Sequence, residues 1–207
     1  MCPRRLPGVA LSGVLCLGLL LASFGCAPRA MRGGEGTANP ELDAPALSVT
    51  LDREDINYLV ADYLARLVPS PFWKKVKSAR KPPLVAIWPI MNATSQHIDD
   101  QMLTLLSSVE TALVNTGDVR VVARSSQEDL AREIGIQHGP AFDPASARRL
   151  GRQLGAQYYF TGKVTSVDEK LSKLRRVQYS LFLQVVEVET GLILFQNEVT
   201  RSKAVQR

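Results

Sequence analysis

The sequence contains few of the residues from which catalytic and metal-binding sites are usually built. It has two histidines, His97 and His138, and three cysteines among 207 residues. Neither histidine belongs to a metal-ligand motif such as His-Glu-x-x-His, and no glycine-rich phosphate loop follows a predicted strand. These absences argue against an enzyme, and they predict a protein that uses no metal and no cofactor.

The cysteines are also too few for a disulfide framework. Cys2 and Cys16 fall in an N-terminal segment where two arginines precede an apolar stretch over residues 9–24. A stretch of this length with these flanking residues is typical of a secretory signal peptide and too short for a stable transmembrane helix. Residues 1–25 are therefore predicted to be removed, which leaves Cys26 as the single cysteine of the mature chain.

Cys26 directly follows a small residue, Gly25, at the predicted cleavage point. This arrangement is typical of a bacterial lipobox, in which the cysteine carries diacylglycerol and the peptidase cuts before it. Two or three acyl chains, at about 0.8 kcal/mol per buried CH₂, form a durable anchor. Cys26 is thus the predicted lipidation residue; the alternative is cleavage by the general signal peptidase and a soluble product. Ala27 and Pro28 follow, without the aspartate linked to inner-membrane retention, which favours the periplasmic face of the outer membrane.

The charge of the chain is nearly balanced once the predicted signal peptide is set aside. The full sequence carries a net charge of +5, and removal of Arg4 and Arg5 lowers this to +3. A balance of this size in an exported chain does not require nucleic acid as a partner, and export argues against one. Residues 26–51 are rich in Gly, Ala and Pro without periodicity, and they are predicted to be a lipidated tether.

Residues 52–207 are predicted to form one α+β domain. Apolar residues at spacings of three and four predict about four helices, including one over 53–68 behind Asp52 and a long one over about 98–116. A capping box is indicated by Ser125 and Glu128 at the start of another helix. Strand-like runs cover residues 84–90, 119–123, 158–167, 177–188 and 192–200. The short turn at 189–191 makes the last two an antiparallel hairpin, so we expect a mixed, mainly antiparallel sheet of about four to five strands.

Two groups of basic residues are candidate partner-binding surfaces. Lys74, Lys75 and Lys77 belong to a run over residues 74–81 that contains no acidic residue. The second group, predicted in the connection before the penultimate strand, comprises Lys170, Lys173, Arg175 and Arg176. Each group could contact an acidic patch on a partner, anionic lipid or glycan phosphate, with a merely solvated face as the alternative. Trp73 beside the first group is either a core residue or an interface anchor, and the core is favoured.

Several short motifs, in order along the chain, resemble the LpoB family. They include Lys81-Pro-Pro-Leu-Val85, Asn92-Ala-Thr94, Ala112-Leu-Val-Asn-Thr-Gly117, Asp143-Pro-Ala145, Leu154-Gly-Ala-Gln-Tyr158 and Glu189-Thr-Gly191. The resemblance covers about residues 52–203. It implies an outer-membrane lipoprotein that binds and activates a peptidoglycan synthase, a class A penicillin-binding protein.

The same domain is also similar to domains of CsgG and of the N-terminal part of TolB. That second resemblance implies an alternative function, a structural or accessory lipoprotein of an outer-membrane secretion or envelope assembly. In either case the membrane is reached through the lipid anchor, and the domain acts by binding.

Overall fold

The computed structural model describes residues 37–43, 45–133, 144–170 and 172–206. By its internal contacts the chain divides into two units, Met1–Leu42 and Asp43–Arg207. Of the first unit only residues 37–42 are described, and they include the first three residues of a short 3-10 helix, Pro40–Asp43. The described α-helices and the sheet all belong to the second unit.

The described residues form five α-helices, and their positions follow the apolar spacing of the sequence. They are α1 (Arg53–Leu67), α2 (Pro71–Lys77), α3 (Asp99–Asn115), α4 (Arg124–Glu133) and α5 (Pro144–Gln153). Asp52 caps α1: its carboxylate accepts a hydrogen bond from the N–H of Asp55 at 3.0 Å, and the Asp55 carboxylate accepts one from the N–H of Asp52. The two helices predicted over 53–68 and about 98–116 are confirmed.

The predicted capping box at the start of α4 is wrong. The helix already begins at Arg124, so Ser125 lies inside the first turn instead of at the cap position. The N–H of Gln127 donates to the carbonyl of Ala123 at 3.2 Å, which closes the first turn two residues earlier than the motif suggests.

The six described strands form one mixed sheet. They are β1 (Leu84–Ile87), β2 (Met91–Asn92), β3 (Arg120–Val121), β4 (Tyr158–Lys170), β5 (Leu174–Glu187) and β6 (Ile193–Gln206). The order is β3-β1-β4-β5-β6, and β2 pairs with β4. The short strands pair in parallel, whereas the long strands β4, β5 and β6 are antiparallel neighbours. The predicted α+β domain is confirmed, with slightly more strands than expected.

The strand predicted over residues 84–90 ends early, at Ile87, shortly before a proline. The N–H of Trp88 still donates to the carbonyl of Phe160 at 2.8 Å, next to the last residue of β1. Pro89 has no N–H and cannot extend the ladder. The chain therefore leaves the sheet and pairs again with β4 as β2.

The two faces of the sheet carry separate apolar clusters. The larger contains residues of α1, α2 and α3 packed on the inward side of β5, whose alternating residues there are Val177, Tyr179, Leu181, Leu183 and Val185. Trp73 is fully buried in this cluster, which confirms its predicted place in the core. Val49 and Leu51, from the segment predicted to be tether, also pack in it. The smaller cluster, under α5, comprises Ala86, Ala147, Ala156, Tyr159, Val186 and Val188.

Candidate partner-binding site

The first basic group lies on α2 and the segment that follows it. Ser70 caps this helix, since its hydroxyl accepts a hydrogen bond from the N–H of Trp73 at 3.1 Å, and Pro71 occupies the first helical position. The apolar side chains of the helix are buried in the larger core cluster. Its basic side chains are exposed, together with two beyond the helix end, and we call the set the α2 basic cluster: Lys74, Lys75, Lys77, Arg80 and Lys81.

Contacts beneath the α2 basic cluster hold the helix in a fixed position. The indole N–H of Trp73 donates to Asp118 Oδ2 at 2.8 Å. Lys77 Nζ lies 3.6 Å from the same oxygen. On the other side, the Phe72 ring meets the ring of Tyr158 edge-on, with centroids 5.1 Å apart. Within the described residues, this aspartate is the only acidic partner of the cluster.

The second basic group is placed differently from the prediction. Lys170 is the last residue of β4, and Arg175 and Arg176 belong to β5, so of the four only Lys173 lies between the strands. The prediction that all four lie in the connection is wrong, because β4 and β5 continue pairing further than their apolar pattern does. We call these four residues the hairpin basic cluster.

Acidic residues of β4 neutralise half of the hairpin basic cluster. Arg175 donates to both oxygens of Asp168, with distances of 3.1 Å from Nε and 2.7 Å from Nη2. Arg176 lies directly opposite Glu169 and donates to its carboxylate at 2.9 Å. The hydrogen bond from Arg175 holds the pKa of Asp168 below its ordinary value, and the same bond raises the pKa of Arg175. Such cross-strand pairs explain why the hairpin extends so far.

The two basic clusters lie at opposite ends of β4. Phe72 of α2 contacts Tyr158, the first residue of the strand, whereas Lys170 is the last. The strand has 13 residues, and at about 3.3 Å per residue its ends are about 40 Å apart. The fold therefore keeps the clusters apart, and they do not form one continuous surface.

A buried ion cluster holds the segment before α1 against the sheet. Lys203 of β6 is 7% exposed, and its ammonium lies 2.9 Å from the carboxylate of Asp55, while it also donates to Asp52. It donates as well to the carbonyl of Thr50 at 2.9 Å. Burial by itself would lower the pKa of Lys203, but the hydrogen bonds to the two aspartates outweigh burial and raise it. Burial by itself would raise the pKa of Asp52, but the hydrogen bonds from Lys203 and from the N–H of Asp55 lower it.

This ion cluster shows where the chain enters the domain. Lys203 pairs with Val177 of β5, which in turn pairs with Asp168 of β4. Asp168 binds an arginine of the hairpin basic cluster. Residues 49–52 therefore join the domain at the hairpin end of the sheet, and the α2 basic cluster lies at the far end.

A cleft that no sequence motif indicated lies near the carboxyl end of β1. Its volume is about 220 Å³, and it is lined by Ile87, Trp88, Pro89, Leu103, Leu106, Arg124, Gln127, Glu128 and Leu150. Its polar groups are engaged within the protein: Arg124 lies 3.5 Å from Glu110, and the Gln127 amide donates to the carbonyl of Val122. The lining comes from four separate elements, so sequence reasoning had no local signal for the cleft.

The structure describes one of the two histidines and does not describe the predicted lipidation residue. His97 is exposed, whereas His138 and the predicted lipidation residue Cys26 lie outside the described residues. In the part of the chain that is described, no group of three His, Cys, Asp or Glu side chains is placed to hold a metal. None of the helices described there is both long and apolar enough to cross a membrane.

The described residues thus form an α+β domain that presents two separated basic surfaces. The family described as peptidoglycan-synthase activator LpoB matches residues 55–200. The match covers well over half of the chain, and the chain therefore belongs to the LpoB family. This confirms the resemblance inferred from the short motifs, and it identifies the chain as a member of a family of regulators of peptidoglycan synthesis; the likeness to CsgG and TolB stays a prediction.

Two solved structures share the fold. The LpoB C-terminal domain from Escherichia coli has a TM-score of 0.57 and 15% sequence identity, over 72% of this chain and 99% of that chain. The same domain from Salmonella enterica has a TM-score of 0.53 and 16% identity, over 74% of this chain and 99% of that chain. No curated protein matches the sequence.

Proposed function

We propose that this protein is an outer-membrane lipoprotein that binds a class A penicillin-binding protein and raises its peptidoglycan-synthase activity. Residues 1–25 are removed, Cys26 is acylated, the residues up to 48 tether the domain, and the domain that begins at Val49 binds the synthase in the periplasm. The observation that carries this proposal is the match of residues 55–200 to the family of synthase activators.

An activator of this kind needs no catalytic group of its own. It acts by binding the active conformation of the synthase more tightly than the resting one, so that the population shifts toward the active state. A tenfold shift requires a difference in binding free energy of about 1.4 kcal/mol. A few well-placed contacts on a rigid domain supply that difference.

The geometry of the chain also suits a partner away from the anchoring membrane. Residues 26–48 precede the first buried core residue, Val49, and fully extended they reach at most about 80 Å. The domain adds about 40 Å between the point of chain entry and the α2 basic cluster. Within the domain, the α2 basic cluster is therefore the surface furthest from the point of chain entry.

The first prediction tests the activation directly. Purified lipidated protein, added to the purified class A synthase in detergent, should bind it and raise its rate of glycan polymerisation and crosslinking several-fold. The protein alone should produce no polymer, and a synthase whose transpeptidase serine is replaced should still show faster polymerisation in its presence but no crosslinking. Absence of both binding and stimulation with the unsubstituted protein would overturn the proposed function.

A further inference from the structure

We infer that the α2 basic cluster is the surface that docks on an acidic protein partner. This inference rests on the proposed function, which makes that partner the acidic region of the periplasmic synthase. Three independent observations support it: the balance of charge in the two clusters, their positions relative to the point of chain entry, and the burial of the large apolar side chains of α2.

The α2 basic cluster keeps most of its charge, whereas the hairpin basic cluster does not. Five basic residues of the α2 cluster share one acidic partner, Asp118, within the described residues, which leaves a charge of +4. Arg120 enlarges the patch, because its exposed side chain donates to the carbonyl of Pro82 at 3.0 Å, next to Lys81. The four basic residues of the hairpin face two acidic partners, which leaves +2.

The two clusters also differ in their position relative to the point of chain entry. The chain enters the domain at residues 49–52, beside the hairpin basic cluster, and the α2 basic cluster lies about 40 Å away. A partner that approaches from the side opposite the point of chain entry therefore meets the α2 cluster first. Uncompensated charge at that end increases the rate of encounter with a surface of opposite charge.

The burial pattern of α2 favours a protein surface over a lipid surface. An amphipathic helix that lies in a membrane interface uses exposed apolar side chains to insert between the lipids. In α2 the apolar residues Phe72, Trp73 and Val76 are all buried in the domain's own core. The lysines are thus presented on a rigid helix with nothing to insert, which suits a matching set of carboxylates on a protein.

The test compares two pairs of charge reversals with the same change in net charge. K74E/K75E alters the α2 basic cluster, and K170E/K173E alters the hairpin basic cluster. All four lysines are exposed, and within the described residues none of them forms an ion pair. Circular dichroism melts should therefore show both variants folded like the unsubstituted protein.

Binding of the full lipidated chain to the purified synthase in detergent is the readout. K74E/K75E should raise the Kd about tenfold or more, mainly through slower association, and K170E/K173E should change it less than about twofold. K74Q/K75Q should give an intermediate Kd. The difference in Kd between K74E/K75E and the unsubstituted protein should shrink as salt shortens the Debye length from about 10 Å at 0.1 M toward about 3 Å at 1 M.

Each other outcome overturns a defined part of the argument. Equal Kd values for the two reversals would overturn the docking surface and leave the proposed function intact, whereas no binding by the unsubstituted chain would overturn both. Acyl-free protein should also be sedimented with phosphatidylglycerol vesicles and with purified peptidoglycan sacculi. If K74E/K75E lost either of these interactions and kept its affinity for the synthase, the partner would be lipid or glycan instead of protein.

Discussion

At the scale of single residues, Lys203 is the side chain that determines how the chain enters the domain. Its ammonium joins residues that are far apart in sequence, since Asp52 and Asp55 begin α1 while Lys203 lies near the end of β6. Asp55 is itself 3% exposed. Without the Lys203 ammonium, the buried Asp55 would keep as cationic partner, within the described residues, only the more distant Arg201 at 3.7 Å, and the partly exposed Asp52 would lose its ion pair. The contribution of Lys203 to stability is therefore large.

We predict that Lys203→Met destabilises the domain by about 3–5 kcal/mol near neutral pH, because it leaves Asp52 and Asp55 without their buried partner. Lys163→Met is the control, since that lysine is exposed on the same sheet, and it should change stability by no more than about 0.5 kcal/mol. Urea unfolding followed by circular dichroism measures both. Similar losses in the free energy of unfolding for the two variants would show that the ion cluster does not hold residues 49–52 against the sheet.

The pH dependence of stability should follow from the same cluster. The pKa of Asp52 is lowered in the folded state, so its contribution is present above the unfolded value of 3.8 and is lost as the pH falls through the lowered folded value. The pKa of Lys203 is raised from 10.5, so its contribution is lost only as the pH rises through that higher value. The stability difference between the unsubstituted protein and Lys203→Met should therefore narrow in acid, below about pH 3.8.

At the scale of elements, the long hairpin of β4 and β5 depends on one close approach of the two strands. Gly162 pairs with Leu183. A Cβ added at Gly162 would lie 2.0 Å from the carbonyl oxygen of Phe182 and 2.7 Å from a methyl group of Leu183. A backbone atom cannot move aside as a side chain can, so any larger residue must push the strands apart.

Gly162→Ala should therefore destabilise the domain by about 1–3 kcal/mol or more. Gly151→Ala is the comparison, because there the added Cβ meets only the side chain of Val188, at 2.9 Å. Its cost should be smaller, since alanine is favoured over glycine in a helix by up to about 1 kcal/mol. Thermal unfolding measures the loss of stability in both variants. A loss for Gly162→Ala no larger than that for Gly151→Ala would contradict the close approach of β4 and β5 as the reason for the glycine.

At the scale of the whole molecule, the proposed function depends on an anchor, a tether and a domain whose two ends differ. The hairpin end receives the chain, and the far end carries the α2 basic cluster. Acylation at Cys26 would connect the domain to a membrane through the segment that enters at the hairpin end. The anchor and the docking surface are therefore separate requirements, and each can be removed without the other.

We predict that Cys26→Ser prevents acylation, because the lipid is attached through the thiol, and leaves the protein released from membranes or uncleaved. Cells grown with a clickable fatty acid should label the unsubstituted protein and not the variant. Cys16→Ser is the control, since that residue falls in the predicted signal peptide, and it should still be labelled. Equal labelling of the Cys26 and Cys16 variants would rule out Cys26 as the lipidation residue.

The sequence by itself determined those features that local chemistry decides. Apolar spacing places α1 and α3, the turn at residues 189–191 makes the last hairpin, and the burial of Trp73 follows from its place among apolar neighbours of α2. The order of short motifs also identified the family that the comparison confirms. Each of these signals lies within a few consecutive residues, or in the order of such segments, and needs no knowledge of how distant segments meet.

Only the tertiary structure decided which charges remain available for a partner. Both basic groups look alike in the sequence. In the structure, the register of β4 and β5 pairs Arg175 and Arg176 with acids. Lys74 and Lys75 on α2 have no acidic partner within the described residues. The same holds for the cleft beside β1 and for the bond between Lys203 and Asp52, which spans 151 residues. Such contacts depend on the packing of distant segments, and residue periodicity carries no information about that packing.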